Sequence, residues 1–161
     1  KSRCVEVHKA AAQYAGRAGV KLSVEPLNRF ECYFLNTADA AAELVRRVDE
    51  PAYGYLYDTF HFNIEENSLT DAVARTIGQI NHVHISENNR GIPGAGHIDF
   101  AAVFGALRAA GYDGWMTVEA FGSALPDLSA ATRIWRPLFE NPEAVYRGAY
   151  ALMRQGWDAA A

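Results

Sequence analysis

Four short apolar runs, each carrying a potential cation ligand at or next to its end, recur along this chain at intervals of about one strand–helix unit. The ligands are Glu25, Asp58, His84 and Glu119, spaced 33, 26 and 35 residues apart. The runs Lys21–Glu25, Tyr53–Asp58, Ile80–Ser86 and Trp115–Glu119 have the length and alternation of strands. Between them, Asn36–Val48, Ser68–Gln79 and Asp99–Ala110 have helical periodicity, and further helices are expected over Leu128–Phe139 and Pro142–Gly156. Ser68 with Asp71, and Asp99 ahead of Phe100, supply helix N-caps.

Strands alternating with helices of this length predict parallel βα units. Within the strands, Leu22, Val24, Tyr55, Tyr57, Val83, Ile85, Met116 and Val118 share the parity suited to packing under helices. The opposite parity carries the four ligands, with Ser23, Leu56, His82 and Thr117 one layer below. In a closed (β/α)8 barrel that second set points inward, and its strand ends form the mouth. An open doubly wound sheet is the alternative, but it does not require polar ends to converge from four successive strands. The expected fold is α/β: the C-terminal half of a (β/α)8 TIM barrel, four parallel βα units plus a C-terminal helix. Residues 1–161 are read as a single domain. Residues 1–18 read as a helix, with Val5, His8, Ala12 and Ala15 on one face and no strand before it. The expectation is that an N-terminal barrel half is missing.

Composition narrows the function classes. Fifteen Lys plus Arg face nineteen Asp plus Glu, for a formal net charge of −4, so no basic footprint for nucleic acid is present. No apolar run is long enough to span a membrane. Two cysteines, Cys4 and Cys32, do not make a disulfide scaffold, and a reducing cytoplasmic setting is the plain expectation. No phosphate-binding P-loop and no dinucleotide fingerprint is present, so no organic cofactor is expected.

Three carboxylates converging without a cation would repel one another and resist burial. A divalent metal removes that conflict. Three oxygens and one nitrogen suit Mn²⁺, with Mg²⁺ or Co²⁺ as alternatives, better than a thiolate-rich structural zinc site.

At these same residues the chain resembles a known family. Val24-Glu25-Pro26-Leu27-Asn28-Arg29-Phe30-Glu31, Asp58-Thr59-Phe60-His61-Phe62-Asn63-Ile64-Glu65-Glu66 and His82-Val83-His84-Ile85-Ser86-Glu87-Asn88-Asn89-Arg90 resemble segments of the D-tagatose, D-psicose (allulose) and L-ribulose 3-epimerases. Gly111-Tyr112-Asp113-Gly114 runs into Val118-Glu119 as theirs does. The resemblance covers roughly residues 1–140 and corresponds to the last half of a family member. It implies metal binding by Glu25, Asp58, His84 and Glu119, catalysis by Glu25 and Glu119, and substrate contacts from Glu31, His61 and Arg90. The implied reaction is metal-dependent epimerisation of a free ketose at C3, by removal of the C3 hydrogen and reprotonation through an enediolate. The implied partners are that sugar and the missing N-terminal half or another copy of the chain, with a homo-oligomer expected of the complete protein. His82, one layer deeper, is read as a supporting or core residue, and Gly91–His97 as a flexible candidate lid. Rival readings are an aldose–ketose isomerase, a metal-dependent endonuclease (opposed by the acidic balance) and an inactive half-barrel module.

Overall fold

A computed structural model describes residues 2–160. Lys1 and Ala161, which the predicted first helix and single domain include, lie outside the described residues. The chain runs α1 (Ser2–Arg17), β1 (Leu22–Val24), α2 (Ala38–Val48), β2 (Tyr53–Asp58), α3 (Thr59–Glu65), α4 (Leu69–Thr76), β3 (Ile80–Ile85), α5 (Phe100–Ala109), β4 (Met116–Val118), α6 (Pro126–Thr132) and α7 (Pro142–Ala159). The strands form one parallel sheet in the order β1-β2-β3-β4. This is the predicted half of a TIM-barrel-type α/β fold. Among the described residues no helix is long and apolar enough to cross a membrane.

Strand parity divides the sheet as predicted. Tyr55, Tyr57, Val83 and Ile85 are fully buried and form the main core with Ala38, Ala41, Ala42, Ala72, Val73, Val103, Phe104 and Leu107 of the covering helices. The alanine stripe on α2 lets that helix lie close to the large tyrosines. Both buried phenols have partners: Tyr55 meets Thr76 Oγ1 at 2.5 Å, and Tyr57 donates to the Leu69 carbonyl at 2.9 Å. The opposite face is more open, with Ser23 and Thr117 exposed; Thr117 pairs with His82 Nε2 at 3.0 Å.

The capping expectations hold. Ser68 accepts from the Asp71 N–H at 3.2 Å and Asp99 from the Ala102 N–H at 3.0 Å. Several boundaries differ from expectation. α3 follows β2 with no linker. α6 ends at Thr132 rather than Phe139, because Arg133 turns left-handed (φ 61°) and the Ile134 N–H bonds back to the Ser129 carbonyl. A 3-10 turn over Ile77–Gln79 separates α4 from β3.

Registers decide which side chains reach the mouth. Between Tyr55↔Ile80 and Leu56↔His82 the pairing slips by one residue on β3. The slip sends Ile80 into the core and Asn81 to the opposite face. Asn81 crosses over Gly54 and donates to the Leu22 carbonyl at 2.9 Å; a Cβ on Gly54 would come within 2.5 Å of its amide carbon. Beyond the slip, Asp58 and His84 stand side by side.

Phe62 of α3, fully buried, packs edge-on against Tyr57 with ring centroids 4.9 Å apart and lies 6.2 Å from Tyr55. Phe62→Ala is expected to lower unfolding free energy by about 3–5 kcal/mol, through lost transfer energy and a residual cavity. Chemical denaturation at unchanged m-value is the check; a loss under about 1 kcal/mol would mean that α3 does not depend on this contact.

Candidate metal centre

Each of the four predicted ligands is placed by a different strand. Asp58 ends β2 and is fully buried, and its two oxygens have separate tasks. Oδ1 caps α3, accepting from the Phe60 and His61 N–H groups at 2.7 and 3.2 Å. Oδ2 faces the site, 3.4 Å from His84 Nδ1. Glu25 and Glu119 sit one residue past β1 and β4, on the outermost strands of the sheet. The Glu119 N–H still bonds the Ile85 carbonyl at 3.2 Å, which continues the ladder into the site.

One ligand atom from each of Glu25, Asp58, His84 and Glu119 lies within 4.8 Å of the others. In a flat sheet, strands β1 and β4 would stand about 14 Å apart at ~4.8 Å per step; barrel-like curl and inward parity bring their carboxylates together. Among the described residues, His84 Nδ1 is buried without a hydrogen-bond partner. Its neighbours are Asp58 Oδ2 at 3.4 Å, Glu119 Oε2 at 3.7 Å and Glu25 Oε1 at 3.9 Å. At these separations none of the three makes a hydrogen bond to the nitrogen. The distances match ligand–ligand spacings around one divalent ion, where bonds of roughly 2.0–2.4 Å give separations of about 3–4.5 Å. The donor set therefore fits a hard or borderline divalent cation.

The electrostatics agree. Burial, with the Asp58 and Glu119 carboxylates, pushes Glu25 up to about 7. Burial disfavours the charged form of His84, yet Asp58 and Glu119 outweigh it and push the imidazole up to about 9. Burial also opposes ionisation of Asp58, but His84 and Arg90 hold it below the ordinary carboxylate range. Protons occupy part of the charge balance that a cation would take over.

The three residues expected to hold substrate line the same cleft, of about 170 Å³, together with Glu25 and Glu119. Arg90 is only 6% exposed, not a solvated loop arginine. Its Nη1 donates to Ser86 Oγ at 2.8 Å and to Glu119 Oε2 at 2.5 Å, and its guanidinium lies 3.7 Å over the Phe60 ring. The Asn28 backbone N–H points at His61 Nδ1 at 3.1 Å. Burial and Arg90 hold His61 below its usual value, although Asp58 and Glu31 pull the other way. Nε2 lies 3.0 Å from Arg90 Nη2, so the guanidinium reaches the other ring nitrogen.

Sequence reading alone did not single out several residues that shape the site. Asn28, 1% exposed, ties two of the candidates together: its amide donates to Glu31 Oε1 at 2.9 Å and lies 2.9 Å from His61 Nδ1. Thr59 stitches the α3 start to β3, donating to the Ser86 carbonyl at 2.6 Å and accepting from its N–H at 2.8 Å. Leu27, Phe121 and Thr132 complete the cleft wall. Leu27 lies in the motif that begins at Val24, Phe121 two residues past Glu119, and Thr132 at the end of α6. The segment expected to be a flexible lid is tied down instead: the Gly94 N–H donates to Glu87 at 2.8 Å, and the His97 N–H to Asn88 at 3.1 Å.

Known proteins share this fold. A family model described as "Xylose isomerase-like TIM barrel" matches residues 1–155. An L-ribulose 3-epimerase of Mesorhizobium japonicum is 39% identical over 161 residues, covering 99% of this chain and 54% of the relative. A probable ketose 3-epimerase of Synechocystis sp. is 35% identical over 153 residues, covering 95% and 53%. A solved L-ribulose 3-epimerase structure superposes with a TM-score of 0.93 at 38% identity, covering 98% of this chain and 54% of its own. The chain thus spans about half the length of the curated relatives it matches. It belongs to the xylose isomerase-like TIM-barrel family, in the group of the ketose 3-epimerases.

Proposed function

We propose that this chain is the metal-bearing half of an enzyme that epimerises free ketoses at C3. The observation that carries the proposal is the convergence of three carboxylates on the unpartnered His84 Nδ1, beside a cleft lined by Arg90 and His61. Glu25, Asp58, His84 and Glu119 would hold one divalent ion, Mn²⁺ first, with Mg²⁺ or Co²⁺ also compatible with this oxygen-rich set. When bound, the ion supplies electrophilic stabilisation of negative charge on the sugar's O2 and O3.

The remaining steps fall to the chain's own groups. Arg90 and His61 donate to O2 and favour its anionic form as the hydrogen on C3 leaves. Glu25 and Glu119 approach from the two outer strands, on opposite flanks of the site, as alternating base and acid. Arg90 Nη1 orients the Glu119 carboxylate. Glu31, fixed by Asn28, would take a substrate hydroxyl.

The outer strand edges and a large apolar groove bear on the protein's partners. The groove, of about 640 Å³, lies beside β4 and is lined by Val118, Leu125, Leu128, Phe139 and Val145. Unpaired edges and apolar surface of this kind favour association. A further βα half joined ahead of this one would close the barrel. A second copy in its place would crowd two carboxylate clusters at one mouth. Both cysteines are free, which suits the cytoplasmic setting we assign.

Metal binding should depend on pH in a defined direction. Glu25 rises from an ordinary 4.5 to about 7, and His84 from 6.5 to about 9. In ion-free protein the stability these groups contribute is fully present below 4.5 and 6.5 respectively. It is lost as pH climbs through 7 and then 9. Mn²⁺ competes with both protons, so its apparent affinity should rise from pH 5 to 9 by up to about tenfold per unit for each proton displaced. Thermal shifts with and without Mn²⁺ should diverge steadily over that range; a shift independent of pH would contradict the site.

The reaction itself is read by turnover of a ketose in D₂O. Deuterium should appear at C3 by NMR, and Glu119→Gln should slow its incorporation by about 10²–10⁴-fold. Label at C1 alone would mean aldose–ketose isomerisation, and turnover without label would mean hydride transfer. Either result defeats the proposal.

A further inference from the structure

Glu87 belongs to the His82–Arg90 motif, yet it takes no part in the chemistry above. Its carboxylate is fully buried, and its partners are backbone N–H groups. Oε1 accepts from Asn88 at 3.0 Å and from Ile98 at 3.1 Å, and Oε2 accepts from Gly94 at 2.8 Å. One carboxylate thus binds the start, the middle and the end of the loop between β3 and α5. Gly96 crosses directly above it; a Cβ there would come within 2.5 Å of Glu87 Oε1 and 2.2 Å of Asn88 Oδ1.

Arg90 sits inside this loop, in the left-handed region at φ 65°. A non-glycine residue holds that conformation only where its surroundings impose it. Here the Arg90 N–H bonds the Glu87 carbonyl at 2.9 Å, and its own carbonyl accepts from the Phe121 N–H at 2.9 Å. This backbone turn delivers the guanidinium to Ser86 and Glu119. A shift of about 1 Å at such a group is enough to change rates by about 10²-fold.

We propose that Glu87 is a positioning residue: by folding the 87–98 loop around its carboxylate, it sets the Arg90 guanidinium in the cleft. The inference rests on the epimerase reading, because Arg90 acts there as an oxygen-binding donor. Glutamine at this position keeps the shape but loses one acceptor and turns an NH₂ toward a backbone donor.

The test is a double-mutant cycle in the complete, Mn²⁺-loaded protein, with kcat and KM measured for ketose epimerisation. Glu87→Gln should lower kcat/KM by about 10–100-fold, with Mn²⁺ affinity within about twofold of the parent's, since the four metal ligands are untouched. In an Arg90→Ala background the same substitution should change kcat/KM by less than about threefold, because the group it positions has gone. Gly96→Ala, which displaces the carboxylate from the other side, should reproduce the Glu87→Gln effect and its dependence on Arg90. Full additivity with Arg90→Ala, or unchanged kcat/KM in Glu87→Gln, overturns the proposal. Failure of both Glu87→Gln and Gly96→Ala to fold would assign the carboxylate to the stability of the barrel and overturn it equally. A parent protein without C3 exchange in D₂O would instead refute the epimerase reading, which separates the two failures.

Discussion

Three carboxylates facing one buried imidazole nitrogen repel each other unless positive charge lies among them, and much of the site architecture answers that constraint. Arg90 supplies part of the charge, close to Glu119 and 3.5 Å from Asp58. Protons supply another part, which is why Glu25 and His84 both sit well above their ordinary values. Among the described residues His84 Nδ1 makes no hydrogen bond, and its oxygen neighbours stand 3.4–3.9 Å away. A divalent ion at the centre resolves the repulsion and the orphaned nitrogen together.

Fold and site are coupled through shared groups. Asp58 divides its oxygens, one capping α3 and one facing the site, so the helix that carries His61 is anchored by a candidate ligand. Ser86 receives Arg90 and donates to the Glu119 carbonyl at 2.9 Å, joining β3 to the residue that follows β4. Asn28 holds His61 through its backbone N–H and Glu31 through its side chain. Each contact removes rotational freedom from a side chain at the cleft.

Much of this was legible in the chain because strand side chains alternate with period two. That period alone separates Tyr55, Tyr57, Val83 and Ile85 from the ligand-bearing face, and one-unit spacing then puts the four ligands at one mouth. The misses have physical causes. Phe60, Phe62 and Ile64 alternate as a strand would, so α3 was hidden behind the strand it follows. The register slip at Asn81 depends on Gly54 on the neighbouring strand, a pairing no local window contains. In the predicted Leu128–Phe139 helix, Pro137 was a warning, but Arg133 in the left-handed region ends α6 earlier still. Asn28 and Glu87 act through backbone groups of loops, whose paths hydrophobic periodicity does not encode.

The central claim is that the four strand-end groups form a single divalent-cation site. Anomalous diffraction at the manganese edge, from crystals grown with Mn²⁺ at pH 8, tests it most directly. The account predicts one peak, with Glu25, Asp58, His84 and Glu119 each contributing an atom at about 2.0–2.6 Å. No peak at the mouth, or side chains turned away from a common centre with Mn²⁺ bound elsewhere, would contradict it.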